Sequence, residues 1–290
     1  MVTRVTVVEV GPRDGLQSEP LPVSTAAKVA FIEALADAGL TVIEATSFVN
    51  PAAVPQMADA ADVLSAIRRR PGVSYPVLVP NERGLDRALA AGADAISLFT
   101  SATEAFARAN VRASIDETFV RFAPVVTRAM AAGLRVRGYV SVALGCPYSG
   151  AVEPTAVAAV AARLLDLGCD EVCLADTIGS GDSDEVARLL DAVLEVVPLN
   201  RLAMHFHDTG GRAIANVEAA LRFGVTIFDA AAGGLGGCPF APGAPGNLAT
   251  ETLLDHLAER NIATGVDREA VAAAVAVLRR GMSLPAADSP

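Results

Sequence analysis

Eight short β-rich runs alternate with helical segments along 290 residues, and this alternation, unbroken by a linker or a shift in composition, predicts an α/β fold of the (β/α)8 TIM-barrel type. Two further observations agree. The helical segments open on capping residues and close on glycine, and the length lies within the range in which such barrels run as one domain.

The strand-like runs are "RVTVVEV" (4–10), "VIEATSF" (42–48), "YPVLVP" (75–80), "AISLFT" (95–100), "RVRGYVSVAL" (135–144), "EVCLAD" (171–176), "RLAMHFH" (201–207) and "TIFDAAAG" (226–233). Between them, Ala/Leu-rich stretches with helical spacing open at Ser24, Ser114 and Pro154 and close at Gly39, Gly92, Gly133, Gly168 and Gly224. The first turn, "GPRDGLQ", lacks the G-x-G-x-x-G form of a doubly wound dinucleotide-binding sheet. The last segment, "DREAVAAAVAVLRRGM", predicts an additional C-terminal helix. The expected organisation is a single TIM-barrel catalytic domain over 1–290, with the barrel at about 3–265 and the C-terminal helix and tail at 266–290.

Hydrophobic residues make up 52% of the chain and charged ones 19%, enough apolar content for a large aliphatic core. A formal charge of −10, with no basic cluster longer than Arg68 to Arg70, argues against nucleic acid or an anionic membrane as a partner. No apolar run reaches the ~18 residues of a membrane span. Met1 runs straight into a strand-like stretch, so a cytoplasmic location is expected. Cys146, Cys169, Cys173 and Cys238 show no CxxC spacing, so reduced thiols are expected rather than disulfides or a zinc knuckle. Lys28, the only lysine, lies in a stretch read as an outer helix, which disfavours Schiff-base and pyridoxal chemistry.

A barrel carries its active site at the carboxyl ends of its strands. Arg13, Asp14 and Gln17 follow the first strand, and Glu44 and Ser47 lie at the second. Arg137 and Tyr139 are on the fifth, and Asp176 ends the sixth. The seventh ends in His205 and His207, two of the chain's three histidines, and the eighth leads to Cys238 and Asn247. Two histidines spaced by two on a strand point the same way. Alone they could equally be satisfied strand-end residues; with Asp14 and Asn247 nearby they form an N/O set suited to a divalent cation that leaves positions open for substrate. Arg13 beside Asp14 could stabilise a developing oxyanion, or simply form an ion pair with Glu44 or Asp176. Glu44 and Asp176 are expected to face the same mouth and orient Arg13 and bound water, with plain ion pairing as the other reading. Gln17, Ser47, Arg137 and Tyr139 are expected to contact substrate together with Arg13. Cys238 sits among glycines and prolines on what reads as a lid, where a thiol can hand over a proton.

The segments "VTVVEVGPRDGLQSEP", "VIEATSFVNPAAVPQMADA", "VRGYVSVALGCPYSG", "LADTIGSG", "MHFHDTGG" and "GGLGGCPFAPGAPGNLATE" resemble the hydroxymethylglutaryl-CoA lyases, over about residues 3 to 265. The resemblance implies a barrel that requires Mg2+ or Mn2+ and cleaves 3-hydroxy-3-methylglutaryl-CoA to acetyl-CoA and acetoacetate by a retro-Claisen reaction. It implies Asp14, His205, His207 and Asn247 as metal ligands, Arg13 on the thioester carbonyl, and Cys238 as the proton-handling residue of the lid. It also implies an acyl-CoA thioester as the small-molecule partner and a homodimer. The same residues would serve a sister lyase with a longer 3-substituent; a Claisen-type synthase usually carries further segments, and a non-catalytic binding barrel would not need the full set.

Overall fold

A computed structural model describes residues 2–20, 22–236 and 246–283. Its strands are β1 (Thr6–Glu9), β2 (Val42–Ile43), β3 (Thr46–Ser47), β4 (Val77–Leu78), β5 (Ala95–Ser101), β6 (Arg135–Ser141), a small hairpin of β7 (Gly145–Cys146) and β8 (Gly150–Ala151), then β9 (Glu171–Asp176), β10 (Leu202–Phe206) and β11 (Ile227–Ala230). The main sheet runs β2-β1-β11-β10-β9-β6-β5-β4-β3, with every pairing parallel. β2 and β3 are two halves of one strand. Its first half pairs with β1 and its second with β4, and the switch occurs where Glu44 N–H donates to Glu9 O (2.8 Å) and Ala45 N–H to Pro76 O (2.9 Å). The strand at one edge of the sheet is therefore also the strand at the other, and the barrel closes with eight strands, as expected.

Local sequence explains the helices around it. Ser24 accepts from Ala27 N–H at the start of Thr25–Asp37, and Ser114 forms a full capping box with Glu117 at the start of Ile115–Ala131. Pro154 opens Pro154–Leu167, where its missing N–H costs nothing, and Gly168 (φ 111°) closes that helix in the left-handed region. The C-terminal helix Arg268–Ser283 lies against Thr25–Asp37 and Thr250–Glu259. The floor of the barrel is tied by a bridge between Arg4 and Ala263. Lys28 lies on the helix Thr25–Asp37, as expected. It is buried, and its Nζ donates to Asp59 (2.6 Å) and to Gln56 O, fastening the first helix under the loop after β3.

The fifth barrel strand, β6, ends sooner than its sequence suggested. After Ser141 the chain turns at Val142, whose φ of 54° is a strained value for a β-branched residue, and its N–H is taken by Thr177 Oγ1 (2.8 Å). The turn lies at the barrel mouth, where Ser141 and Thr177 both line the main cavity.

Candidate metal centre and active site

The Arg-Asp segment folds as one wide helical turn over Gly11–Gly15, in which the N–H groups of Arg13, Asp14 and Gly15 all converge on Val10 O (3.2, 2.7 and 3.2 Å). Such a turn swings Arg13 and Asp14 over the end of β1 and into a cavity of about 230 Å3 at the carboxyl ends of the strands. Arg13, Asp14, Gln17, Tyr139, His205 and His207 line it, so the structure brings these six expected residues together.

His205 on β10 and His207 just past its end present their rings 5.1 Å apart, as the period of two requires. Each offers a ring nitrogen, and Asp14 a carboxylate oxygen, all within 4.8 Å of one another. Asn247, bridged to His207 across the backbone, donates its Nδ2 to Asp14 Oδ2 (3.0 Å) and to Leu235 O (3.0 Å). Gly236 (φ 98°) permits this approach, because a Cβ there would lie 2.7 Å from Asn247 Nδ2. Two buried polar atoms of this set are left without a hydrogen-bond partner, Asn247 Oδ1 and His207 Nδ1. A carboxylate, two imidazoles and an amide oxygen, two of them with unspent polar atoms, fit a divalent cation.

The charges around this set are tuned by burial and by each other. Burial works to raise the Asp14 carboxyl, but Arg13 and the two histidines outweigh it and hold the group well below the usual carboxylate range. Burial, with His205 beside it, pushes His207 down to about 4 against the pull of Asp14. Both groups are thus in their ligand-competent, deprotonated forms at neutral pH. Arg13 is gripped from two sides: Nε and Nη2 meet Glu44 Oε2 (2.7 and 2.6 Å), and Nη1 meets Asp14 Oδ1 (2.5 Å). Its guanidinium lies over the Tyr139 ring, 5.7 Å from the centroid. Glu44 is braced in turn by Ser97 Oγ.

Three expected residues lie elsewhere. Arg137 sits two residues before Tyr139 on the same face of β6, hence one layer deeper, where it pairs with Asp229 (2.6 Å) and Glu171 (3.0 Å) rather than reaching the mouth. Asp176 falls between Ala175 and Thr177, both of which line the cavity, so strand alternation turns it to the opposite face; its carboxylate accepts from Ser180 N–H (3.1 Å) and Gly181 N–H (3.0 Å). Ser47 is fully buried outside the cavity lining, with its hydroxyl unpartnered. Cys238 lies outside the described residues.

Two acids escaped the sequence reading. Asp229 on β11 accepts from Arg137 and from His205 Nδ1 (3.1 Å). Glu9 on β1 is fully buried and accepts from Gly11 N–H (2.8 Å), Ala232 N–H (2.9 Å) and the Thr250 hydroxyl (2.7 Å), joining the base of the Arg-Asp turn to the segment after β11. A signal was present for both: each is a lone acid inside an otherwise apolar strand run, "VTVVEV" and "TIFDAAAG", where a barrel strand buried on both faces would carry aliphatics.

A family model described as HMGL-like matches residues 4–278. The hydroxymethylglutaryl-CoA lyase of Pseudomonas mevalonii is 55% identical over 268 residues, covering 92% of this chain and 89% of that protein. The mitochondrial enzyme of that name from Rattus norvegicus is 54% identical, covering 91% of this chain and 81% of its own length. A crystal structure of hydroxymethylglutaryl-CoA lyase from Pseudomonas aeruginosa superposes with a TM-score of 0.96 at 47% identity, covering 98% of this chain and 95% of that one. With its Arg-Asp turn, its paired histidines and this likeness along nearly its whole length, the chain belongs to the HMGL-like family.

Proposed function

We propose that this chain is a divalent-metal-dependent carbon-carbon lyase that cleaves 3-hydroxy-3-methylglutaryl-CoA to acetyl-CoA and acetoacetate, with Mg2+ or Mn2+ as cofactor. The observation that carries the reading is the meeting of Asp14, His205 and His207, with Asn247 Oδ1 unsatisfied beside them, next to the fixed guanidinium of Arg13. Relatives at 55% and 54% identity that bear the lyase name support it.

A divalent cation held by Asp14, His205, His207 and Asn247 would supply Lewis acidity for loss of the C3 hydroxyl proton. The remaining work falls to the chain. Arg13, locked by Glu44 and Asp14 so that it need not reorganise, meets the thioester oxygen on which negative charge collects as the C2–C3 bond breaks. Tyr139, whose buried hydroxyl has no partner, and Gln17, whose Oε1 has none, offer polar contacts to the acyl chain, while Leu78 and Phe99 give the cavity an apolar wall. Cys238 is assigned the proton that converts the departing enolate to acetyl-CoA. The barrel and its C-terminal helix act as one catalytic unit, in a cytoplasmic homodimer, on a step such as those of leucine degradation. Among the described residues no helix is long and apolar enough to cross a membrane.

The test is incubation of metal-stripped protein with 3-hydroxy-3-methylglutaryl-CoA, with and without added Mg2+ or Mn2+. Metal-dependent formation of acetoacetate and acetyl-CoA in equal amounts, lost in Cys238→Ala and His205→Ala, is expected. No cleavage by folded, metal-loaded protein would overturn the reading.

A further inference from the structure

The barrel interior below the metal ligands holds a chain of charges. His205 Nδ1 lies 3.1 Å from Asp229 Oδ2. Asp229 Oδ1 receives Arg137 Nη2 at 2.6 Å, and Cys173 Sγ stands 3.6 Å from Oδ2. Arg137 reaches on to Glu171 (3.0 Å) and lies under the Tyr139 ring at 4.8 Å from its centroid. Tyr139 is thereby held between two guanidiniums, and its ring meets the His205 ring edge-on at 90°. Asp229, His205 and Arg137 are 2%, 6% and 8% exposed, so these contacts are largely shielded from bulk water.

A buried ion pair is poor evidence for stability, because well-packed aliphatic residues in the same place are often as good or better, and barrel interiors are usually filled that way. The position of this one suggests another use. In a neutral imidazole the ring nitrogen that meets a carboxylate carries the hydrogen, so in that form the contact with Asp229 leaves Nε2 of His205 with its lone pair free. Only that nitrogen can then serve a cation beside Asp14 and His207.

We infer that Asp229 is a positioning residue of the metal centre: held from below by Arg137, it fixes the tautomer and orientation of His205, and the affinity for a divalent cation depends on this ion pair one layer beneath the ligands. Arg137 thus acts through Asp229 and His205, not on substrate. The inference rests on the metal reading given above and adds to it a residue two contacts removed from the chemistry.

Two measurements test it. The chain has three histidines, so metal-free protein labelled with 15N in its imidazoles gives three ring patterns in long-range 1H–15N correlation spectra, assignable with His207→Gln and His256→Gln. At pH 8, His205 is expected as the Nδ1–H tautomer; finding its proton on Nε2 would overturn the inference without any variant at Asp229. The second is the Mn2+ dissociation constant, read from the electron paramagnetic resonance of free Mn2+. Asp229→Asn is expected to weaken binding by ~10- to 100-fold, and so is the pair Asp229→Asn with Arg137→Gln, which removes both charges of the buried Asp229–Arg137 pair and leaves only the part-exposed Glu171 without its guanidinium. A merely structural role would lower the unfolding temperature and leave the Mn2+ affinity of the folded variant unchanged, and that result sinks the inference alone. Failure of the unaltered protein to bind Mn2+ would instead remove the metal reading and the inference together.

Discussion

The same eight strands face two interiors of opposite character. Outward, between sheet and helices, one continuous cluster of buried aliphatic and aromatic residues runs around the molecule, including Phe31, Ile32, Phe122, Leu164, Leu190 and Phe228. Inward, among the described residues, the apolar clusters are small: Val8 with Val10 and Ala231, and Tyr139 with Cys173 and Ala203. Beside them, and beside the apolar wall of Leu78 and Phe99, lie Arg13, Glu44, Ser97, Arg137, Asp229, His205 and His207. Stability and chemistry are thereby divided between the two faces of each strand. Removing a group from the outer layer should cost folding free energy and spare the chemistry of what remains folded, whereas removing one from the inner column should do the reverse.

The largest effect is expected at the inner extreme. His207→Ala deletes a proposed ligand that is itself buried with one ring nitrogen unsatisfied. Loss of the metal's several kcal/mol of transition-state stabilisation corresponds to a fall of at least ~10³-fold in kcat at saturating substrate. The unfolding temperature of metal-free protein should fall less than for an outer-layer truncation, because Nδ1 of the deleted ring has no hydrogen bond to lose. A large drop in that temperature with activity intact would reverse the assignment of the two interiors.

Phe31→Ala is the outer counterpart. Phe31 is wholly buried on the helix Thr25–Asp37, and truncating such a ring costs about 3–5 kcal/mol. Urea unfolding should show that loss, while kcat per folded molecule stays within twofold.

Glu9 lies between the two regimes, on the outer face of β1 but bonded to the segments that carry the site. Its burial outweighs the donors at Ala232, Thr250 and Gly11 and raises the carboxyl from an ordinary 4.5 to about 7. The native state therefore binds more protons than the unfolded chain between those values. Its contribution is fully present below the unfolded pKa and is lost as pH rises through 7, by ~3 kcal/mol in all. Glu9→Gln keeps the volume and removes the titration, so chemical denaturation at pH 5 and pH 8 should show a smaller decline in the variant than in the parent. Parallel declines would place the ionised form comfortably in the fold.

These differences also show what a linear reading can reach. The closing glycines, the caps at Ser24 and Ser114 and the shared direction of His205 and His207 were legible because each depends on neighbours within a few residues. Arg137 was misplaced for a physical reason. A period of two says which face a strand residue occupies but not its height, and Arg137 is one repeat, ~6.6 Å, below Tyr139. Asp176 shows the complementary error, since the end of a strand is near the mouth while its side chain still obeys alternation. Glu9 could be suspected from its apolar surroundings, but its partner Thr250 is 241 residues away, and only closure of the barrel brings them together. The interior column was invisible for the same reason, since the contacts of Asp229 with His205, Arg137 and Cys173 each join different strands.

The smallest effect sharpens the comparison by lying outside both interiors. Ser114 caps the helix Ile115–Ala131 by accepting Glu117 N–H at 3.1 Å, outside the residues that line the cavity. Ser114→Ala leaves that N–H to water, at a cost of about 1 kcal/mol. The helix packs Phe119, Phe122, Val125 and Val126 against the sheet, so fraying its first turn loosens the outer layer without touching the inner column. A modest fall in unfolding free energy with unaltered kcat and Mn2+ affinity is therefore expected. A change in Mn2+ affinity from this position would mean that the two faces of the strands are mechanically coupled and that the division of labour between them is incomplete.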